Sequence, residues 1–324
     1  EGNVLWQKEY GEEWHVNYTG SRSTPLIVDD LLYFISGMAE VFCYDANDGE
    51  KVWSVDMLNR FDGKNIRWGI SESVLIDGDR LICTPGGEKH NVVALNRFTG
   101  ETVWSSTGSG EPSAYCSPVL IEHNNTRLIV THTAESVIGI DANTGEHYWR
   151  VPQWQTHKIH ANSPDYYNGV VYSSSTHHKE GNTGLLALEL SSDGKSVNQL
   201  FRNENYRNLM GGIIILDGVI YGSAYRKSDW FSIDALSGKE RLISPDFRGG
   251  VIVYAENLFY CYSEEGEVAL VKMSPDSFEI ISKFEVPLGT DQHWAHPIIH
   301  DKRLYIRHGD ALMVYNLSLI HISE

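Results

Sequence analysis

The chain has 324 residues and 41% apolar residues, the length of two ordinary domains or of one large β domain. With 26 Lys+Arg against 43 Asp+Glu the formal net charge is −17, so the surface repels phosphate backbones and anionic lipid, and neither nucleic acid nor a membrane surface is an expected partner. Apolar runs such as Ile213–Leu216 are too short to span a bilayer.

The opening Glu1-Gly2-Asn3 carries no basic region followed by an apolar stretch, so a mature form or a fragment is expected. Residues Asn3–Tyr10, with Trp6, read as a lone outer strand. From there a hairpin signal recurs: Tyr44-Asp45-Ala46-Asn47-Asp48-Gly49-Glu50-Lys51-Val52-Trp53, then Leu95–Trp104, Ile140–Trp149 and a weaker Ile233–Glu240, with degenerate copies at Leu188–Lys195 and Val271–Phe278. Trp53 to Trp104 is 51 residues and Trp104 to Trp149 is 45, the period of a four-stranded propeller blade. In each turn an Asx side chain caps the backbone and Gly takes the positive φ. An apolar module such as Ser23–Phe34 or Cys116–Ile121 precedes each hairpin and supplies the inner strands A and B.

The predicted fold is therefore an all-β propeller of four-stranded antiparallel blades, one domain over 1–324. Blades are placed at 21–56, 67–107, 113–152, 160–201, 208–244, 247–286 and 293–316, the last completed by strand 3–10. The tail Leu317–Glu324 does not fit the repeat.

The repeated Asp-Ala-x-Thr-Gly-Glu-x-x-Trp turn resembles the pyrroloquinoline quinone (PQQ)-like β-propeller repeat family. That family includes quinoprotein alcohol dehydrogenases and non-catalytic propellers such as the outer-membrane assembly lipoprotein of the Bam complex. The resemblance covers nearly the whole chain and is specific for fold, not for function. It implies a periplasmic or secreted protein, and either a seven-bladed ring or a piece of an eight-bladed parent. The dehydrogenases of the family use adjacent cysteines and Ca²⁺ held by carboxylates. Here Cys43, Cys83, Cys116 and Cys261 are not adjacent and read as buried free thiols, and no C-x-x-C-H haem site exists.

The connections from strand D to the next strand A are chemically rich. They carry Trp14, Arg22, Arg67, Trp68, His157, His160, Arg207, His293, Trp294 and His296 as expected ligand contacts. Aromatic rings stack on a planar or sugar ligand and guanidinium grips a carboxylate, so an anionic ligand suits them. The same residues read equally as a plug of the propeller channel. For acid–base chemistry the candidates are His160, His293 and Tyr115, with Arg67 or Arg207 as anion stabiliser. For a quinoprotein they are Glu72 and Asp291. The pairs His157-x-x-His160 and His293-x-x-His296 lack a third ligand, so no metal site is assigned. His177-His178 reads as part of a solvated loop. Three functions follow in order. The first is a non-catalytic binding scaffold of the cell envelope, with a protein or glycan as partner. The second is a PQQ- and Ca²⁺-dependent oxidoreductase, and the third a carbohydrate-active enzyme.

Overall fold

The computed structural model describes residues 3–176, 182–225 and 229–317. His177-His178 and most of the tail lie outside the described residues. The fold is an all-β propeller of consecutive antiparallel blades, with a single short helix among the described residues. Its strands run β1 Leu26–Val28, β2 Leu31–Ile35, β3 Glu40–Asp45 and β4 Lys51–Asp56 in the first blade. The second holds β5 Leu75–Asp77 to β8 Thr102–Ser106, the third β9 Val119–His123 to β12 His147–Pro152, and the fourth β13 Asp165–Tyr167 to β16 Val197–Asn203. The fifth holds β17 Ile213–Leu216 to β20 Glu240–Ser244 and the sixth β21 Gly250–Ala255 to β24 Ser277–Glu285. The seventh holds β25 Ile298–His300, β26 Arg303–His308 and β27 Ala311–Asn316, three strands where the others have four. Helix α1, Met57–Phe61, follows β4; the Asp56 carboxylate caps it and Met57 and Phe61 bury its inner face.

The chain divides into two compact units: 1–173 with 177–182 and 188–198, and 174–176 with 183–187 and 199–324. In the first unit successive blades are joined by one repeated contact. Trp53 Nε1 donates to Arg97 O at 3.0 Å, Trp104 Nε1 to Ala142 O at 3.2 Å, and Trp149 Nε1 to Gly194 O at 3.2 Å. Each outer-strand indole thus satisfies its N–H on the next blade's hairpin turn while its ring is buried. The turns must be bare to accept it. A Cβ on Gly145, which sits at φ +78°, would lie 2.7 Å from the Trp104 ring. A second relay joins the starts of the inner strands: Thr24 N donates to Ser73 Oγ and Ser73 N to Ser117 Oγ, both at 2.8 Å, and Ser163 Oγ donates to Ser117 O at 2.9 Å. In the second unit Phe201 takes the indole's place, packed on Gly238, and Asn203 Nδ2 supplies the donor to Gly238 O at 2.9 Å.

Residues 3–10 carry no strand assignment, yet Trp6 sits where an outer-strand indole belongs. Its Nε1 donates to Ala46 O at 2.9 Å, and Tyr10 packs edge-on against Phe34 at 4.8 Å. That the segment completes the three-stranded seventh blade remains our proposal. Deleting residues 1–10 is expected to lower the melting temperature and promote association through an uncovered edge. A truncated protein that stays monomeric with an unchanged thermal midpoint would overturn it.

Candidate functional site

Within the first unit, side chains from three connections converge. The Arg67 guanidinium stacks 4.5 Å from the Trp68 ring, and its Nη1 lies 3.4 Å from His157 Nδ1. Trp68 in turn faces Tyr115, with ring centroids 6.0 Å apart. Arg67 is exposed; Trp68, Tyr115 and His157 are half-buried. The cluster therefore presents a cation held flat on an indole, flanked by a phenol and an imidazole. Burial pushes the Tyr115 hydroxyl up to about 12, against the pull of Arg67 and Arg22. At neutral pH it is a hydrogen-bonding phenol and not a base.

Arg22 and Trp14 have a different task. Arg22 Nη2 donates to Asn17 O at 2.8 Å and to Tyr18 O, which ties the 14–22 loop together. The Trp14 Cβ lies against Gly37 and its ring against Gly69, where an added Cβ would come within 2.7 and 2.8 Å, and its Nε1 donates to Asn17 Oδ1 at 3.1 Å. Trp14 anchors the loop to the first blade; it is not an open stacking platform.

Two candidate catalytic residues, His160 of the acid–base set and Glu72 of the quinoprotein set, are sealed. His160 is 1% exposed, and its ring stacks on buried His132 with centroids 4.7 Å apart and planes 3° from parallel. Burial lowers its pKa to about 4, so it is a neutral, packed imidazole without access to a ligand. His132 bonds through Nε2 to Ser173 Oγ at 2.6 Å, and its Nδ1 is buried without a partner. Glu72 is 0% exposed; Thr84 N donates to one carboxyl oxygen at 2.8 Å and Thr84 Oγ1 to the other at 2.5 Å.

In the second unit, His293 and Trp294 line a cavity of about 10 Å³, room for about one water, together with Asn208, Tyr225 and Glu264. His293 Nδ1 is 2.6 Å from the Tyr262 hydroxyl, and its ring stacks 3.7 Å from His308. Burial, and then the neighbouring His308, depress its protonation. His296 is exposed and its Nε2 bonds to Met210 O at 2.8 Å. Asp291 is exposed and its main-chain oxygen accepts from His308 Nε2 at 3.1 Å. Arg207 does not join His293 and Trp294; it lines a separate cleft. The reason is local, since the connections fold against their own blades.

These residues do not fit a quinone–calcium centre. Glu72 spends both oxygens on Thr84, and Asp291 stands on an exposed loop. All four cysteines are buried free thiols, and burial raises the pKa of each. No group of three His, Cys, Asp or Glu side chains converges as a metal site among the described residues.

The residues that the sequence could not single out are His132, hidden as the last residue of β10 (Thr126–His132), and the cleft around Arg207. A buried histidine inside an apolar strand was the one signal for the first.

Comparison with known proteins agrees with the repeat. Over 172 residues, 49% of this chain, it is 24% identical to a quinoprotein ethanol dehydrogenase of Pseudomonas aeruginosa, of which the match covers 27%. Over 91 residues, 27% of this chain, it is 31% identical to the outer membrane protein assembly factor BamB of Salmonella typhimurium, of which 22% is covered. The matches thus span about a quarter of these curated relatives' length. Among solved structures, BamB from Moraxella catarrhalis superposes with a TM-score of 0.63 at 17% identity, over 90% of this chain and 81% of that one. Quinohemoprotein alcohol dehydrogenase from Comamonas testosteroni gives 0.62 at 13%, over 92% and 65%. Both show the same fold. Residues 1–244 match the family model described as outer membrane protein assembly factor BamB, so the chain belongs to that family of PQQ-like repeat propellers.

Proposed function

We propose that this protein is a non-catalytic docking propeller of the bacterial cell envelope, which binds a carboxylate-bearing protein segment or glycan at Arg67, Trp68, Tyr115 and His157. One observation carries the reading: in a chain of net charge −17, an exposed guanidinium is stacked on an indole beside a phenol and an imidazole. Such a group stacks on a planar or sugar face and pairs with an anion. The sealing of His160 and Glu72 argues against acid–base catalysis at these positions. Kinship with BamB supports a scaffold, and envelope localisation comes from the same kinship. No described helix is long and apolar enough to cross a membrane.

The test is a thermal-shift screen with uronic-acid oligomers, acidic peptides, neutral glycans, and PQQ with Ca²⁺. Arg67→Ala is expected to leave stability within about 0.5 kcal/mol of the parent, as exposed substitutions do, and to abolish the response to the anionic probes. If the parent responds to none of them while Trp68→Ala is strongly destabilised, the cluster is a structural plug. A quinone absorbance on reconstitution with PQQ and Ca²⁺ would instead favour the oxidoreductase reading suggested by the dehydrogenase relatives.

A further inference from the structure

The cleft that holds Arg207 is distinct from the Arg67 cluster in residues and in chemistry. It has a volume of about 300 Å³ and lies wholly within the second unit. One wall is the connection that follows β16, with Tyr206 and Arg207; the other comes from the fifth blade, with Phe231 of β19 (Trp230–Asp234) and Glu240 and Ile243 of β20. The floor is apolar and rigid. Tyr206 and Phe231 are buried and meet edge to face, with centroids 4.3 Å apart. Ile243 stands at the rim, 45% exposed.

The charges on this cleft are unusually disposed. Glu240 is fixed in place, because the Tyr206 hydroxyl donates to its Oε2 at 3.1 Å. Arg207 is exposed and lines the cleft; its Nε donates to Glu204 O at 3.3 Å, and neither terminal nitrogen of the fork makes a hydrogen bond or ion pair among the described residues. Other arginines of the chain, such as Arg97, Arg127 and Arg150, are spent on carboxylates. Arg207 and Glu240 line the same cavity yet form no ion pair with each other, so they are held more than the 4.0 Å of an ion pair apart. Asp229 also lines the cleft and is engaged in a contact of its own. A cleft lined by a guanidinium, a carboxylate not paired with it and a buried aromatic pair is complementary to a small zwitterion with an apolar side chain. The fork takes the ligand's carboxylate bidentately, Glu240 takes its ammonium, and the side chain lies on Phe231. At the small end of the ligand-pocket range, about 300 Å³ suits an amino acid and not an oligomer.

We propose that this cleft binds a free apolar α-amino acid. The probe is L-leucine, titrated into the full-length protein and followed by amide chemical shifts of Ala224 and Phe231. N-acetyl-leucine and leucinamide, which lack the ammonium and the carboxylate, serve as controls. Saturable shifts with leucine are expected, weakened roughly tenfold or more for either blocked analogue, because a site built for both charges leaves one unpaired. Arg207→Ala and Glu240→Gln should each weaken leucine to a similar degree, and Arg207→Lys should restore part of it. Both positions are exposed, and an unchanged melting temperature would establish that each variant is folded. The proposal is overturned if leucine produces no shifts at millimolar concentration, if the blocked analogues bind as well as leucine, or if the folded variants bind it unchanged. None of these outcomes touches the Arg67 cluster, whose probes and variants are separate.

Discussion

Trp104→Ala is expected to destabilise the protein by about 3–5 kcal/mol, the usual cost of deleting a buried aromatic side chain. Three losses combine at this position. The ring is 8% exposed and packs with Ile129, Ile138 and Ile140 in the core between the second and third blades. It covers Gly145, whose missing Cβ makes the close approach possible. Its Nε1 donor to Ala142 O also disappears, so that a turn carbonyl loses a partner. Trp104→Phe separates these contributions, since it keeps most of the ring and removes the donor. We expect it to cost about 1–2 kcal/mol, the hydrogen bond and part of the packing. Urea unfolding followed by intrinsic fluorescence measures both. A Trp104→Ala variant within about 1 kcal/mol of the parent would mean that the indole contacts do not hold adjacent blades together.

The hairpin that carries Trp104 is legible in the sequence; the contact of its indole with the next blade is not. The Trp-to-Trp spacing of 51 and 45 residues and the Asx-Gly turns fixed both the repeat and the position of each hairpin. In five blades the strand before the turn also carries a register shift, as at Ala94/Leu95 and Gly139/Ile140. These are local signals, readable because strand period and turn chemistry depend on neighbours in sequence. The connections between blades follow other rules. Helix α1 is five residues long, too short to show a period, and only Asp56 announces it. His160 looked like an accessible base, and it is packed on His132, 28 residues away in sequence. Arg22 and Trp14 looked like ligand contacts, and they close their own loop. Arg207 was grouped with His293 and Trp294, yet it lines another cleft. In each case the residue type was informative, but the partner was set by tertiary packing that no spacing encodes. The Arg67, Trp68, Tyr115 and His157 convergence came from three such connections, of which the sequence supplied the members and not the geometry.

Glu72→Gln should make the protein more stable above pH 7 while changing little near pH 4. Glu72 is fully buried, and burial lifts its carboxyl from 4.5 to about 7, although the Thr84 amide and hydroxyl draw it the other way. Among the described residues no cation is found to act on Glu72; it acts on the thiols of Cys83 and Cys116, both pushed upward, mainly by burial and then by Glu72 itself in the case of Cys83, where Arg60 pulls the other way. The sign follows from linkage. The folded state holds its proton more tightly than the unfolded chain, so the stabilising contribution is complete below about pH 4.5 and is lost as the pH rises through about 7. A shift of that size corresponds to roughly 3 kcal/mol between the two limits. Glutamine is neutral throughout. Its carbonyl can still accept from Thr84 N, and its amide can donate to Thr84 Oγ1, so the hydrogen bonds survive while the pH-dependent component vanishes. Unfolding free energies of parent and variant, measured in urea from pH 4 to pH 8.5, should coincide at the acid end and diverge as the pH rises toward 7 in favour of Gln. Parallel curves would show that Glu72 titrates alike in the folded and unfolded chains. A variant destabilised at every pH would show that the carboxyl group itself, and not its protonation, is what the pocket requires.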